Sequence, residues 1–171
     1  MQRFACVVLV ALSIVGSLYG QEKTKPLLRV SCTANKRSYA ANDTVDLTVT
    51  LENVGQSDFY IYRNVEWGWA GIGFKLVDAK GDMVRPRQHS IPLPPPPVSD
   101  KSQLVSLARG YFYGRQLDFE LTHYALEAGV YYIEVSYRSN YREDDGFGLP
   151  ILTFDDGDFV SNKVQIEIHP K

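Results

Sequence analysis

The sequence predicts an all-β, antiparallel sandwich of about seven to nine strands, and three observations carry that expectation. Residues 45–52 alternate without a fault, with Val45, Leu47, Val49 and Leu51 on one side and Asp46, Thr48, Thr50 and Glu52 on the other. A period of two marks a strand buried on one face. The same alternation returns at residues 28–33 and 164–169, and the short apolar runs between them are punctuated by Gly, Asn, Asp and Pro. Helical periodicity is missing: the nearest candidate, residues 123–128, offers one turn at most.

From the N-terminus, residues 1–20 read as a signal peptide. Arg3 supplies the positive start, residues 4–15 are apolar except for Ser13, and Gly16, Ser17 and Gly20 then offer small residues where a signal peptidase could cut. The apolar run is shorter than the ~20 residues a membrane span needs. A polar Gln21-Glu-Lys-Thr-Lys stretch comes next, and no second apolar run appears. The expectation is a protein exported to the periplasm or the extracellular space, without a membrane span, whose single domain covers residues 21–171. Strands are expected at 28–33, 45–52, 59–63 and 73–78. After a tight Ala79-Lys-Gly-Asp82 turn, further strands are expected at 83–85, 103–107, 116–121, 130–137 and 164–169.

Lys and Arg number 18 against 20 Asp and Glu, a formal net charge of −2. A chain so close to neutral gives no warrant for nucleic-acid binding. Cys6 leaves with the signal segment, so Cys32 stands alone and no intrachain disulfide can form. At an inward strand position Cys32 reads as a small buried hydrophobe.

One local arrangement is more specific than alternation. Leu126-Glu-Ala-Gly129-Val-Tyr131 sets a glycine turn just before a strand that opens with Tyr. Immunoglobulin-like sandwiches use such a corner, in which the Tyr hydroxyl bonds back to backbone a few residues upstream. The fold class expected is therefore an immunoglobulin-like antiparallel β-sandwich. With Val49-Thr-Leu-Glu-Asn-Val-Gly55 and Phe74-Lys-Leu-Val-Asp-Ala-Lys-Gly81 ahead of it, the order resembles the immunoglobulin-like β-domain that precedes the catalytic domain in deuterolysin-type metallopeptidases. It is also similar to secreted sandwiches related to the intracellular proteinase inhibitor (BsuPI) family. The resemblance spans residues 28–168. The peptidases' His-Glu-x-x-His zinc motif is missing, so what the resemblance implies is an accessory or inhibitory part and not an enzyme.

Catalytic signals are absent from the residues as well. His89, His123 and His169 are scattered, and there is no Gly-x-Ser-x-Gly elbow or phosphate-cradling glycine loop. Two long connections hold the remaining candidates. Residues 87–101 contain a proline run that includes Pro95 and Pro96, a polyproline II segment that serves as spacer, edge cover or docking segment. Residues 139–162 carry Glu143, Asp144, Asp145, Asp155, Asp156 and Asp158. Of these, Asp144, Asp155, Asp156 and Asp158 are the candidate ligands for Ca²⁺, which takes hard oxygens from a flexible loop. A solvated acidic loop is the alternative, and no other cofactor is indicated.

Trp67 and Trp69, two apart, fall on one face of an extended segment. They either stack on a sugar or fill a partner's pocket, or they plug the core. Tyr111-Phe-Tyr113 and Tyr141 extend an aromatic surface or pack inward. If successive strands reverse, the Trp loop, the proline run and the Tyr124 corner share one end of the sandwich. The Asn53 turn and the acidic loop then share the other. The leading expectation is an exported, non-catalytic protein-binding module, a peptidase inhibitor or accessory domain, with another protein as partner. Its binding-surface candidates are Trp67, Trp69, Pro95, Pro96 and Tyr141. The alternative is a carbohydrate- or calcium-binding module.

Overall fold

The computed structural model describes residues 27–63, 65, 71–87, 101–139, 141 and 146–170. In chain order the strands are β1 (Leu28–Ala34), β2 (Ser38–Tyr39), β3 (Thr44–Asn53), β4 (Phe59–Tyr62) and β5 (Ile72–Asp78). They continue as β6 (Leu104–Leu107), β7 (Phe112–Glu120), β8 (Gly129–Tyr137), β9 (Phe159–Val160) and β10 (Val164–Ile168). Among the described residues the only helical pieces are three single 3₁₀ turns. Residues 124–128 of the one helical candidate are not helical, and a 3₁₀ turn lies just before them at Leu121–His123.

One sheet has the order β1-β3-β7, antiparallel throughout. Its centre is β3, whose Val45, Leu47, Val49 and Leu51 are each at most 1 % exposed. The second sheet runs β2-β10-β8-β5, with β9 also pairing β8. From it Ile133, Val135, Tyr137, Ile166 and Ile168 enter the same interior. The chain changes sheets early. Asn35 N–H still bonds the Asp46 carbonyl beside β3 at 3.1 Å, and three residues later Ser38 pairs parallel with Glu167 of β10. Tyr39 stiffens the crossing: its hydroxyl donates to Asn35 Oδ1 at 2.8 Å and accepts from Lys36 N–H at 3.1 Å.

The corner expected before β8 is in place. Tyr131 donates its hydroxyl to the Glu127 carbonyl at 3.1 Å and accepts from Glu127 N–H at 3.3 Å. Two sheets over a shared core, an early sheet change and this corner make the protein an all-β, immunoglobulin-like sandwich.

The structure departs from the expected elements in four places. Residues 83–85 form no strand; Met83 makes an isolated pairing with Val77, and Val84 N–H bonds Leu76 O at 2.9 Å. β2 and β9 were not expected, because a two-residue strand is too short to show alternation. A third layer, the β4–β6 ribbon, stands beside the two sheets. Its Phe59, Ile61 and Leu107 face the main interior, while Tyr62 and Leu104 face a smaller second cluster. The fourth difference concerns the Trp loop. That loop returns at Gly71, whose carbonyl accepts Arg138 N–H at 2.8 Å, and Ile72 pairs with Tyr137. Its exit therefore lies at the Asn53 end, not with the Tyr124 corner. β4 belongs to a side ribbon and so does not count as a strand of the alternating sandwich.

Cys32 is 1 % exposed and has no disulfide. Burial pushes its thiol up from 9.0 to about 12. Burial likewise raises the Tyr137 phenol, with the Tyr62 backbone partly offsetting the rise. Groups whose folded-state pKa is raised keep their protons after the unfolded chain has released them. Stability is then fully present below about pH 9 and falls as pH rises beyond it. Urea melts should show a lower midpoint at about pH 10 than at about pH 8, with a smaller drop in Cys32→Ala. Cys32 should resist thiol reagents until the chain is unfolded.

Candidate functional site

The end of the sandwich at which β3 finishes is built around one buried polar side chain. Asn53 is 0 % exposed, and every polar group it carries is used. Its N–H donates to Tyr111 O at 3.0 Å and its carbonyl accepts from Gly110 N–H at 2.9 Å. The side-chain amide donates to Leu107 O at 2.7 Å and Ser57 O at 3.0 Å, and Oδ1 accepts from Gly55 N–H at 2.9 Å. One residue thus ties the turn after β3 to the turn between β6 and β7. A buried amide that is fully satisfied rigidifies what it joins. Asp58 adds a second link by accepting Arg109 N–H at 3.0 Å.

That frame presents apolar side chains to water. Tyr111 is 69 % exposed, Phe112 is 70 % and Leu27 is 56 %. Leu27 joins the same end because its carbonyl accepts Val54 N–H at 3.0 Å. Phe112 takes an outward position of β7 and Tyr111 stands in the turn just before the strand, so both reach water. Tyr113 turns inward, half-buried, with its hydroxyl on Arg63 O at 2.8 Å. Exposed Arg29 and half-buried Glu52 form an ion pair at 3.2 Å, and Glu52 stands opposite Phe112 in the ladder.

Tyr141 corrects an expectation. It is 2 % exposed and packs edge-on against Tyr62, with ring centroids 6.2 Å apart. Its backbone is fixed as well: Tyr141 N–H bonds Ser139 Oγ at 3.2 Å, and its carbonyl takes Phe154 N–H at 2.7 Å. A large aromatic pays its way by covering apolar surface, and Tyr141 anchors the long connection onto the second cluster instead of offering a surface. The same connection is pinned further on, where Tyr60 N–H bonds Pro150 O at 2.8 Å and Leu152 N–H bonds Tyr60 O at 2.9 Å.

The described carboxylates of the acidic loop point to separate tasks. Asp156 closes a capping box, accepting Thr153 N–H at 2.7 Å and Thr153 Oγ1 at 3.0 Å. Asp158 lies 3.6 Å from Arg138, whose guanidinium sits 3.7 Å over the Phe154 ring. Asp155 is exposed. No group of three or more His, Cys, Asp or Glu that could hold a metal ion occurs among the described residues. Asp144, Trp67, Trp69, Pro95 and Pro96 lie outside the described residues. Ser38 Oγ contacts His169 Nε2 at an exposed margin, but no carboxylate is paired with His169 among the described residues.

Pattern along the chain places Asn53 only in a turn and gives Leu27 no role. The available signal was the Tyr111-Phe112 pair itself, which breaks strict alternation.

No protein-family model matches the chain, and no curated protein does. Among solved structures, a CARDB domain from Pyrococcus furiosus is similar at 12 % identity with a TM-score of 0.40, covering 85 % of this chain and 90 % of that one. An alkylpurine DNA glycosylase from Pseudomonas fluorescens is similar at 8 % identity with a TM-score of 0.41, covering 83 % of this chain and 30 % of that one. No helix among the described residues is long and apolar enough to cross a membrane. The chain stands as an all-β, immunoglobulin-like sandwich, and its functional reading rests on its own residues.

Proposed function

We propose that this protein is an exported, non-catalytic protein-binding module that engages its partner through the end of the sandwich organised by Asn53. The observation that carries the reading is the exposure of Tyr111 and Phe112 on a turn fixed by buried hydrogen bonds. Aromatic side chains presented on a rigid frame contribute much of the energy of protein interfaces, because little freedom is lost when they are covered. Export rests on the reading of residues 1–20, and the absence of catalysis on the missing motifs. The resemblance to deuterolysin-type β-domains and to the BsuPI family favours a peptidase as the partner, bound by an inhibitor or accessory domain.

A calcium- or carbohydrate-binding role draws on Trp67, Trp69 and Asp144, outside the described residues, and on Asp156 and Asp158, which are already engaged. The protein-binding reading is tested with the immobilised chain, residues 21–171, offered exported proteins of the source organism and a panel of peptidases. Wild type should retain or inhibit a specific protein. Tyr111→Ser/Phe112→Ser should weaken that at least about tenfold while melting at the same temperature. Equal retention by the double variant would remove this surface from the reading, and no retention or inhibition by wild type would remove the reading itself.

A further inference from the structure

The described edges of the sandwich are closed in different ways, and among the described residues β7 is the longest strand with no other strand on its outer side. The outer edge of β1 is blocked at its middle by a side chain: Cys32 N–H donates to Asn162 Oδ1 at 2.9 Å and Cys32 O accepts from Asn162 Nδ2 at 2.9 Å. β5 takes the Met83 pairing and the Val84 bond on its outer side. β2 is two residues long, and the β4–β6 ribbon carries Pro150–Leu152 against Tyr60. Native sheets close edges in such ways because unpaired N–H and C=O groups invite another strand.

β7 is different. Its ladder to β3 runs one-to-one from Thr44↔Glu120 to Glu52↔Phe112, without a bulge. It contains neither proline nor lysine, and no described strand pairs with its other side. The hydrogen-bonding parity is set at both ends, by Leu121 N–H on Asp43 O at 3.1 Å and Asn53 N–H on Tyr111 O at 3.0 Å. Odd-numbered β7 residues therefore bond to β3. The N–H and C=O groups of Phe112, Gly114, Gln116, Asp118 and Glu120 point away from it.

The side chains beside this row define its chemistry. Those five residues are all exposed. Phe112 makes one end of the row apolar, and Asp118 and Glu120 make the other end acidic. Asp46 stands directly across from Asp118, at a pair of the type that brings side chains closest. Like charges so placed disfavour each other, and a cation laid alongside would relieve them. Asn35 contacts Asp46 and His123 lies 3.2 Å from Glu120. No lysine or arginine is paired with Asp46, Asp118 or Glu120 among the described residues.

Resting on the protein-binding reading above, we infer that the outer edge of β7 is a strand-addition site for an extended segment of a basic protein partner. Main-chain bonds to Phe112, Gly114, Gln116 and Asp118 supply affinity, as in other cases where a peptide extends a sheet. Side chains on one face of the added strand set specificity: an apolar residue beside Phe112 and a Lys or Arg beside Asp118, about six residues apart.

The test uses residues 21–171 and a short peptide of alternating Thr and Val that carries Phe and Lys at that separation. A second peptide has Glu in place of the Lys, and a third has N-methyl groups on the amides facing β7. In the free protein the amides of Gly114, Gln116 and Asp118 should exchange rapidly with solvent and those of Arg115 and Leu117 slowly. The Lys peptide should protect the first set and bind at least about tenfold more tightly than the Glu or N-methylated peptide. Asp118→Lys should reverse the Lys-over-Glu preference. Gln116→Pro removes only an outward N–H and should abolish binding without unfolding the sheet.

Protection of the outward amides in the free protein would overturn the inference, since the edge would already be filled. So would failure of the Lys peptide to bind, or binding that ignores Asp118→Lys and Gln116→Pro. Partner retention that still depends on Tyr111 and Phe112 would in those cases leave the protein-binding reading standing while strand addition falls.

Discussion

Gly71→Ala is expected to destabilise the protein by at least about 3 kcal/mol, enough to unfold much of a marginally stable domain at physiological temperature. Gly71 has a φ of +75°, in the region that L side chains rarely adopt. A Cβ added there falls on the Arg138 carbonyl, 2.7 Å from its carbon. Both obstacles are backbone, so no side chain can swing aside. The clash sits where β5 begins beside the end of β8, and the Arg138 N–H bond to Gly71 O fixes that approach. Relief requires β5 to slide from β8, which carries Ile133, Val135 and Tyr137 into the core. Urea denaturation of wild type and variant checks this. Gly81→Ala serves as control: φ is +90° there too, but a Cβ meets nothing within 4 Å, so the loss should be limited to backbone strain of about 1–2 kcal/mol.

Asn53→Asp should lose roughly 2–4 kcal/mol near neutral pH. The substitution keeps shape but replaces two N–H donors by an oxygen facing the carbonyls of Leu107 and Ser57. Of the side-chain bonds only that from Gly55 N–H survives. A carboxylate buried among carbonyl oxygens has its folded-state pKa raised above the unfolded value of about 3.9. The folded state then holds a proton the unfolded chain has lost, so stability falls as pH rises through and above that value. The deficit relative to wild type should therefore be smaller at about pH 4 than at about pH 7. Asn53→Leu should show a comparable loss with no such pH dependence, because it leaves the same carbonyls unpaired without adding a charge. Amide exchange in the turns at Gly55 and Gly110 should rise in both variants. If the Asn53 bonds were incidental, melts of either variant would overlay wild type.

The recognition surface depends on the same residue. The turn that offers Tyr111 and Phe112 is held by bonds to Asn53, so a variant that loosens it weakens binding without touching either aromatic. Such an effect separates positioning from contact: Asn53→Asp should bind more weakly at about pH 7 than at about pH 4 relative to wild type, whereas Phe112→Ser should be weak at both.

Local pattern alone determined much of the fold. The β3 alternation, the β1 and β10 patterns and the Gly129–Tyr131 corner specify elements by the spacing of neighbours along the chain, and a strand's two faces are written in that spacing. Other features arise only when distant segments meet. Tyr141 reads as a loop aromatic until Tyr62 and Leu104 close over it. Asp156 reads as a metal ligand until Thr153 folds back onto it. Asn53 reads as a turn residue until Leu107, Ser57 and Gly110 converge on its amide. Burial and hydrogen-bond satisfaction are properties of the assembled neighbourhood. The sequence therefore determined the long alternating strands and which way each faces, while tertiary structure decided which of the described edges goes unpaired and which aromatics reach water.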